Sequence, residues 1–312
     1  MAGYERNLVL VHTQRLQARS DFESIKALLA ERAPDIEVFI VNNMIPNSVT
    51  RRQASGRPTY VFSPIPLRRF QPARGKLCTG LPLTKWQEIG RLLAGGVPVP
   101  QAIILKPGVR LDPETWGPYT VVKPSRGMQG KGVRLQRTRD VRWEDPLSWP
   151  KGDPRHGVDL IAQRFVDTGP NTNHVRVFTV LGRLVYATMT RWSAPRSFAL
   201  SAAAADPVDE PIAANQGERS LTLCYREEFL AFGERVAAAF PDVAALGIDI
   251  IRDHGTGDLY ALEVNAGGLT WHLSSDFGRG FQRRRNIDLM RQFGALEVIA
   301  DVLIEVTRRE AE

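Results

Sequence analysis

Residues 247–268 of this 312-residue chain read Gly247-Ile248-Asp249-Ile250-Ile251-Arg252-Asp253-His254-Gly255-Thr256-Gly257-Asp258-Leu259-Tyr260-Ala261-Leu262-Glu263-Val264-Asn265-Ala266-Gly267-Gly268. Two alternating runs flank the turn His254-Gly255-Thr256-Gly257, which is the pattern of a β-hairpin. Centring the pairing on Thr256 sets Asp249 opposite Glu263. Strict alternation sends Ile248, Ile250, Tyr260, Leu262 and Val264 to one face, and Asp249, Glu263 and Asn265 to the other. Two carboxylates and an amide on one patch are hard oxygen ligands suited to Mg2+. Like charges that close are costly without a cation between them. A solvated polar face would produce the same alternation. Ala266-Gly267-Gly268 tips the balance slightly toward the metal, because backbone without bulky side chains lets a ligand approach closely.

The second informative stretch is Val121-Val122-Lys123-Pro124-Ser125-Arg126-Gly127-Met128-Gln129-Gly130-Lys131-Gly132-Val133. Lys123 ends an apolar strand, and three glycines follow it. Such glycines let consecutive backbone N–H groups converge on phosphate oxygens, while a lysine supplies a point charge. The loop is not a Walker A motif, since Gly132 rather than Ser or Thr follows Lys131. A strand rather than a helix comes next, which excludes a dinucleotide fingerprint. A flap between antiparallel strands, closing over a triphosphate, fits better; a plain glycine hairpin leaves Lys123 unexplained. Downstream, Leu160-Ile161-Ala162-Gln163-Arg164-Phe165-Val166 could offer backbone groups to a base edge, as any buried strand could. Arg176, Arg191 and Arg196 lie on or after a hairpin preceding the carboxylate strands, where arginine suits phosphate or carboxylate.

Composition bounds the alternatives. With 43% hydrophobic and 24% charged residues the chain is globular. Two cysteines cannot build a disulfide framework, so a reducing, cytoplasmic setting is expected. No apolar run reaches membrane-spanning length. The net charge of +7 is uneven: residues 1–110 hold 16 Lys and Arg against 7 Asp and Glu. No carboxylate occurs between Glu37 and Glu88, where Arg51, Arg52, Arg57, Arg68, Arg69, Arg74 and Lys76 fall. Such a patch attracts anions or is simply a solvated basic face.

The N-terminal segment alternates strand and helix signals. Strands are predicted at Leu8–Val11, Ile36–Val41 and Thr59–Phe62. A helix opens at Ser20 with a Ser20-to-Glu23 capping box. Pro72 to Pro82 reads as a loop and domain boundary. Helices are predicted from Thr84 to Leu93 and Glu227 to Phe240, with a long helical tail from Ile287 to Arg309.

In this order the pieces resemble the ATP-grasp superfamily, in the manner of glutathione synthetase, D-alanine–D-alanine ligase and glutamate-adding ligases. The likeness starts at Lys85 and runs through Val-Val-Lys-Pro-Ser with its flap, Gln-Arg-Phe-Val and Met189-Thr190-Arg191. It then takes in Gly247-Ile248-Asp249 and ends at Glu263-Val264-Asn265, covering residues 83–268. The resemblance implies an α/β (α+β) architecture. A small Rossmann-like parallel domain (1–82) would precede a central ATP-grasp subdomain with the flap (83–166) and a C-terminal subdomain with the metal site (167–312). It also implies a carboxylate–amine ligase using ATP and Mg2+ (or Mn2+) through an acylphosphate.

Site roles follow from the same resemblance. Lys85 and Lys123 would hold phosphates, with Gly127, Gly130 and Gly132 cradling them and Lys131 nearby. Gln163, Arg164, Phe165 and Val166 would line the adenine strand, and Asp167 would take the ribose. Asp249, Glu263 and Asn265 would hold the metal. Arg191 and Lys123 would face the transferred phosphoryl. Arg196, His272, Ser274, Arg69 and Arg74 are candidates for the substrate, an amino acid, small acid or peptide, expected to be anionic from the basic stretch. The chain departs from the family pattern where Gln163 replaces the usual Glu and His174 precedes Val175-Arg176.

Two other functions compete. One is an ATP-grasp kinase acting on a hydroxyl. The other is a basic nucleic-acid-binding module, which the intact lysine and carboxylate set disfavours. No membrane partner is expected, and a homo-oligomer is compatible with the sequence.

Overall fold

The computed structural model describes residues 3–14, 16–45, 48–67, 72–127, 130–195 and 218–312. The expected substrate residues Arg69 and Arg196 lie outside them.

Among the described residues the strands form three sheets. The first is parallel: β1 (Arg6–His12), β2 (Ile36–Asn42), β3 (Thr59–Ser63) and β4 (Gly75–Thr79), in the order β2-β1-β3-β4. Helices α1 (Arg19–Arg32) and α2 (Ser48–Ala54) connect its first three strands. The chain then enters α3 (Lys85–Ala94), β5 (Ala102–Ile104), α4 (Pro113–Trp116), β6 (Tyr119–Pro124), β7 (Arg134–Arg137) and β8 (Leu160–Arg164). Its four strands pair antiparallel as β5-β8-β6-β7. The third sheet, antiparallel in the order β11-β10-β9-β12-β13, holds β9 (Asn173–Val180), β10 (Arg183–Trp192), β11 (Arg219–Leu223), β12 (Ala245–Arg252) and β13 (Leu259–Asn265). Between β11 and β12 runs α5 (Glu227–Ala238); after β13 come α6 (Asp276–Arg285), α7 (Leu289–Phe293) and α8 (Ala295–Glu310).

Alternation divides the third sheet chemically. Val175, Val177, Ala187, Ile248, Ile250 and Val264 pack against Phe229, Phe232 and Val236 of α5. The other face carries Phe178, Val180 and Tyr186 at one end, in a core shared with β1, β3, α1 and α8. Trp271 sits at the centre of that core with 0% exposure. Its ring stacks on Phe22 (5.1 Å, 15°) and meets Phe178 edge-on, and its Nε1–H donates to Asp21 at 2.9 Å. The opposite end of the same face is polar, and there the candidate site lies.

Several local expectations are corrected. The helix at Ser20 has no capping box: it starts at Arg19 with Ala18 as N-cap, and Glu23 is taken by Arg19 (2.8 Å). Residues 75–79 are not loop but the parallel edge strand β4, which places Cys78 in the core. Gly75 opens it at φ +106°, where an added Cβ would lie 2.0 Å from the Thr59 carbonyl oxygen. The tail is two helices, split by Gly294 in the left-handed region (φ 58°). Strand β11 and helix α6 carried no signal strong enough to be read from the sequence.

Candidate active site

The hairpin of β12 and β13 pairs Asp249 with Glu263, the register expected from the turn. Strict alternation fails next to that pair. A β-bulge between Asp249 and Ile250 sets Ile250 opposite Ala261, so Ala261 and Val264 reach the core and Leu262 does not. An extra residue in one strand re-aims the side chains beside it, and bulges are enriched next to active sites.

Each carboxylate has drawn in a cation. Arg176, facing Asp249 from β9, holds it bidentately, with Nε and Nη2 both 2.7 Å from its oxygens. Burial pushes the Asp249 carboxyl up, yet Arg176, His174 and Lys85 hold it below the ordinary carboxylate range. His174 Nε2 lies 4.0 Å from Asp249, and burial lowers its pKa despite that neighbour. Lys85 opens α3 under the Thr84 cap, whose hydroxyl accepts from the Gln87 backbone N–H (3.2 Å). Its ammonium donates to Glu263. Asn265 Nδ2 donates to the Gly247 carbonyl at 3.4 Å.

Lys123 joins this group from the second sheet. Its side chain is only 6% exposed, and Nζ donates to Gln163 Oε1 at 2.7 Å. Burial pushes the Lys123 ammonium down to about 8, opposed by Glu263. Glu88, one helical turn beyond Lys85, completes the set. It is 9% exposed, and burial pushes its carboxyl up to about 8 against the pull of Lys85. Two lysines and two glutamates from α3, β6 and β13 therefore face one another in a largely buried space. Such perturbed pairs mark functional sites more often than chance.

The flap lies between β6 and β7, with Gly127, Gly130 and Gly132 at φ +142°, +71° and +75°. Lys131 is exposed. A Cβ on Gly132 would lie 2.9 Å from Pro124 and 3.0 Å from Pro154, so this glycine is fixed by packing as well as by φ. Gln163 is turned to Lys123. Arg164 and Phe165 bond through their backbones to Gln101 and Tyr119, and Val166 is buried. Asp167 accepts from the Gly169 N–H at 2.8 Å, and its carbonyl takes the His254 N–H, so it shapes the loop against the β12–β13 turn. His272 packs on Phe277 (4.8 Å) within reach of Arg176; burial and then Arg176 push its pKa down to about 4.

Three expected site residues stand elsewhere. Arg191 pairs with Asn173 on β9, in odd register to His174 and Arg176. It therefore faces the α5 side of the sheet, away from Asp249. Arg74 immediately precedes β4, at the opposite end of that strand from Thr79 and Gly80, where the chain meets Ala266. Ser274 is 8% exposed and committed to packing, with its N–H on Asp21 (3.2 Å) and its hydroxyl on the Met290 sulfur (3.6 Å). Conversely, sequence reasoning assigned no role to Glu88 and no partner to Arg176. An arginine between Val175 and Val177 was the available signal, but its partner depends on the β9–β12 register.

No protein-family model matches the chain, and no curated protein matches it in sequence. Solved structures do match. D-alanine–D-alanine ligase from Bacillus anthracis, complexed with ATP, aligns over 99% of both chains at 12% identity with a TM-score of 0.51. The ATP-grasp ligase PsnB, with precursor peptide PsnA2 and AMPPNP, aligns over 97% of this chain and 98% of its own at 16% identity and TM-score 0.50. PsnB with a phosphomimetic variant of its minimal precursor, Mg and ADP aligns over 97% and 99%, again at 16% and 0.50. The chain has the ATP-grasp fold.

Proposed function

We propose that the chain is an ATP-dependent ligase that activates a carboxylate as an acylphosphate and joins it to an amine, releasing ADP and phosphate. The observation that carries this reading is the meeting of Lys85, Lys123, Asp249 and Glu263, from four different elements, on the polar end of an ATP-grasp sheet. Lysines from two directions suit a polyphosphate, and positioning with charge neutralisation is most of what phosphoryl transfer asks of a protein. Asp249, Glu263 and the Asn265 amide oxygen fit a hard divalent cation. Mg2+ held there by Asp249, Glu263 and Asn265 would supply positive charge to neutralise the transferred group.

The chain's own residues set the rest. Arg176 and Lys85 hold the two carboxylates in place and offset their repulsion. Lys85 would turn from Glu263 to a phosphate when nucleotide is bound, while Gln163 holds the Lys123 ammonium through its 2.7 Å bond. Gly127, Gly130 and Gly132 would offer backbone N–H groups to the phosphates. A kinase would use the same apparatus but need no amine. A screen of amino acids and short peptides for ADP release, with product masses, separates the two: an acyl–amine product supports the ligase, and a stable phosphate ester overturns it.

Two results are expected at the phosphate side. Lys123→Ala weakens ADP binding by about tenfold or more, because it removes a desolvated charge, and lowers turnover with it. Unchanged ADP affinity by calorimetry would make Lys123 a structural strand end. The pH dependence has a definite sign. As pH rises through about 8, Lys123 loses its positive charge and Glu88 gains a negative one. Both changes oppose an anion, so nucleotide affinity is flat below that pH and falls above it. Affinity that rises between pH 7 and 9 would contradict this pairing.

A further inference from the structure

A cavity of about 440 Å3 opens on the α5 side of the third sheet, behind the strands that carry His174 and Arg176. Arg191 of β10 and Arg226, the N-cap of α5, line it together with Met189, Leu223, Cys224, Tyr225 and Asn173, whose amide N–H groups are spent on the Thr168 and Asn171 carbonyls. Among the described residues neither guanidinium makes an ion pair or a side-chain hydrogen bond. The acidic residues that follow Arg226, Glu227 and Glu228, are not in the lining; Glu228 is bonded by Arg252 at 2.8 Å and lies within the field of Arg226 as well. The floor is apolar: Cys224 is 3% exposed, and Met189 packs against the α5 core. Tyr225 is 58% exposed and stacks on Phe293 at 4.9 Å, which fixes its ring as one wall.

Two guanidiniums in a lining that holds no carboxylate, over an apolar floor, are complementary to an anion with a hydrophobic part. Arginine's planar fork matches a carboxylate, and the volume is within the range of small-ligand sites. We propose that this cavity is a second anion site, distinct from the nucleotide cleft, which takes a carboxylate carried on a compact apolar body. Such a group occurs in a free aliphatic acid and at the C-terminus of a peptide ending in a branched residue.

The test uses the full chain without nucleotide, so it is independent of the ligase reading. The probes are 4-methylpentanoate, its uncharged amide, and a short peptide ending in leucine with a free or an amidated C-terminus. Binding is followed by calorimetry and by protein-observed NMR, with Arg226→Glu and the remote Arg110→Glu as variants. The carboxylate forms are expected to bind, the amides at least tenfold more weakly, with Arg226→Glu losing at least tenfold and Arg110→Glu little. Saturation by the free acid or only by the peptide identifies the source, and either supports the site. Equal binding of acid and amide would leave only an apolar dent and overturn the proposal. So would no binding of any probe at millimolar concentration, or equal losses in both variants. Arg226 is exposed, so a matching thermal midpoint will show that its replacement leaves the fold intact.

Discussion

Glu263→Gln is expected to lower ATP turnover by about 10²–10³-fold while leaving the fold in place. The substitution keeps size and shape but removes the charge that pairs with Lys85 and faces Asp249 across the hairpin. Glutamine keeps an oxygen but brings no negative charge to hold a divalent cation or to neutralise an ammonium, so both proposed functions of the residue fail together. The loss in stability is moderate. Glu263 is 32% exposed, whereas Lys85, at 11%, loses its partner in a largely buried setting, which costs about 1–3 kcal/mol. Glu88 remains beside Lys85 as an alternative partner. Turnover at the wild-type rate, with an unchanged Mg2+ dependence, would remove Glu263 from the metal site. A large drop in thermal midpoint would instead assign it to the scaffold.

The largest effect on stability is expected at Trp271. Trp271→Ala removes a fully buried indole that touches Phe22, Phe62 and Phe178, and costs about 3–5 kcal/mol. It also takes the donor from Asp21, a carboxylate that is 1% exposed and otherwise accepts from the Ser274 N–H. Trp271→Phe keeps most of the stacking and loses the N–H, at about 1–3 kcal/mol. The effect extends beyond stability. Trp271 anchors the loop from Gly267 to Ser275 onto α1, and that loop carries His272 past Arg176. Turnover in Trp271→Phe should therefore fall even at temperatures where the protein stays folded. Full activity with a lowered midpoint would confine Trp271 to the core, and an unchanged midpoint would contradict its place there.

The candidate site was legible where chemistry and local period coincide. Asp249 and Glu263 were paired from turn geometry alone, because a two-stranded register is fixed by its own hairpin. Lys123 was legible because a lysine ending an apolar run has few bland explanations. The bulge beside Asp249 was not, since it depends on how Ala261 and Val264 pack against α5, and that packing is remote in sequence. Arg191 shows the same limit from the other side. Its position after the hairpin suited a catalytic arginine, but one residue of register places it on the far face of the sheet.

The sequence by itself determined the local elements whose signals are short-range: the helix capped at Thr84, the β9–β10 turn through Leu181 and Gly182, and the carboxylate hairpin. It also determined which residue types were available for phosphate and metal. Tertiary structure alone decided which cation each carboxylate meets, that Glu88 belongs with Lys85 and Lys123, and that residues 75–79 form a strand. An edge strand rich in Gly and Lys carries little intrinsic β preference and exists because β3 offers it hydrogen bonds. Electrostatic partners are set by distances between elements far apart along the chain, and no local period encodes those distances.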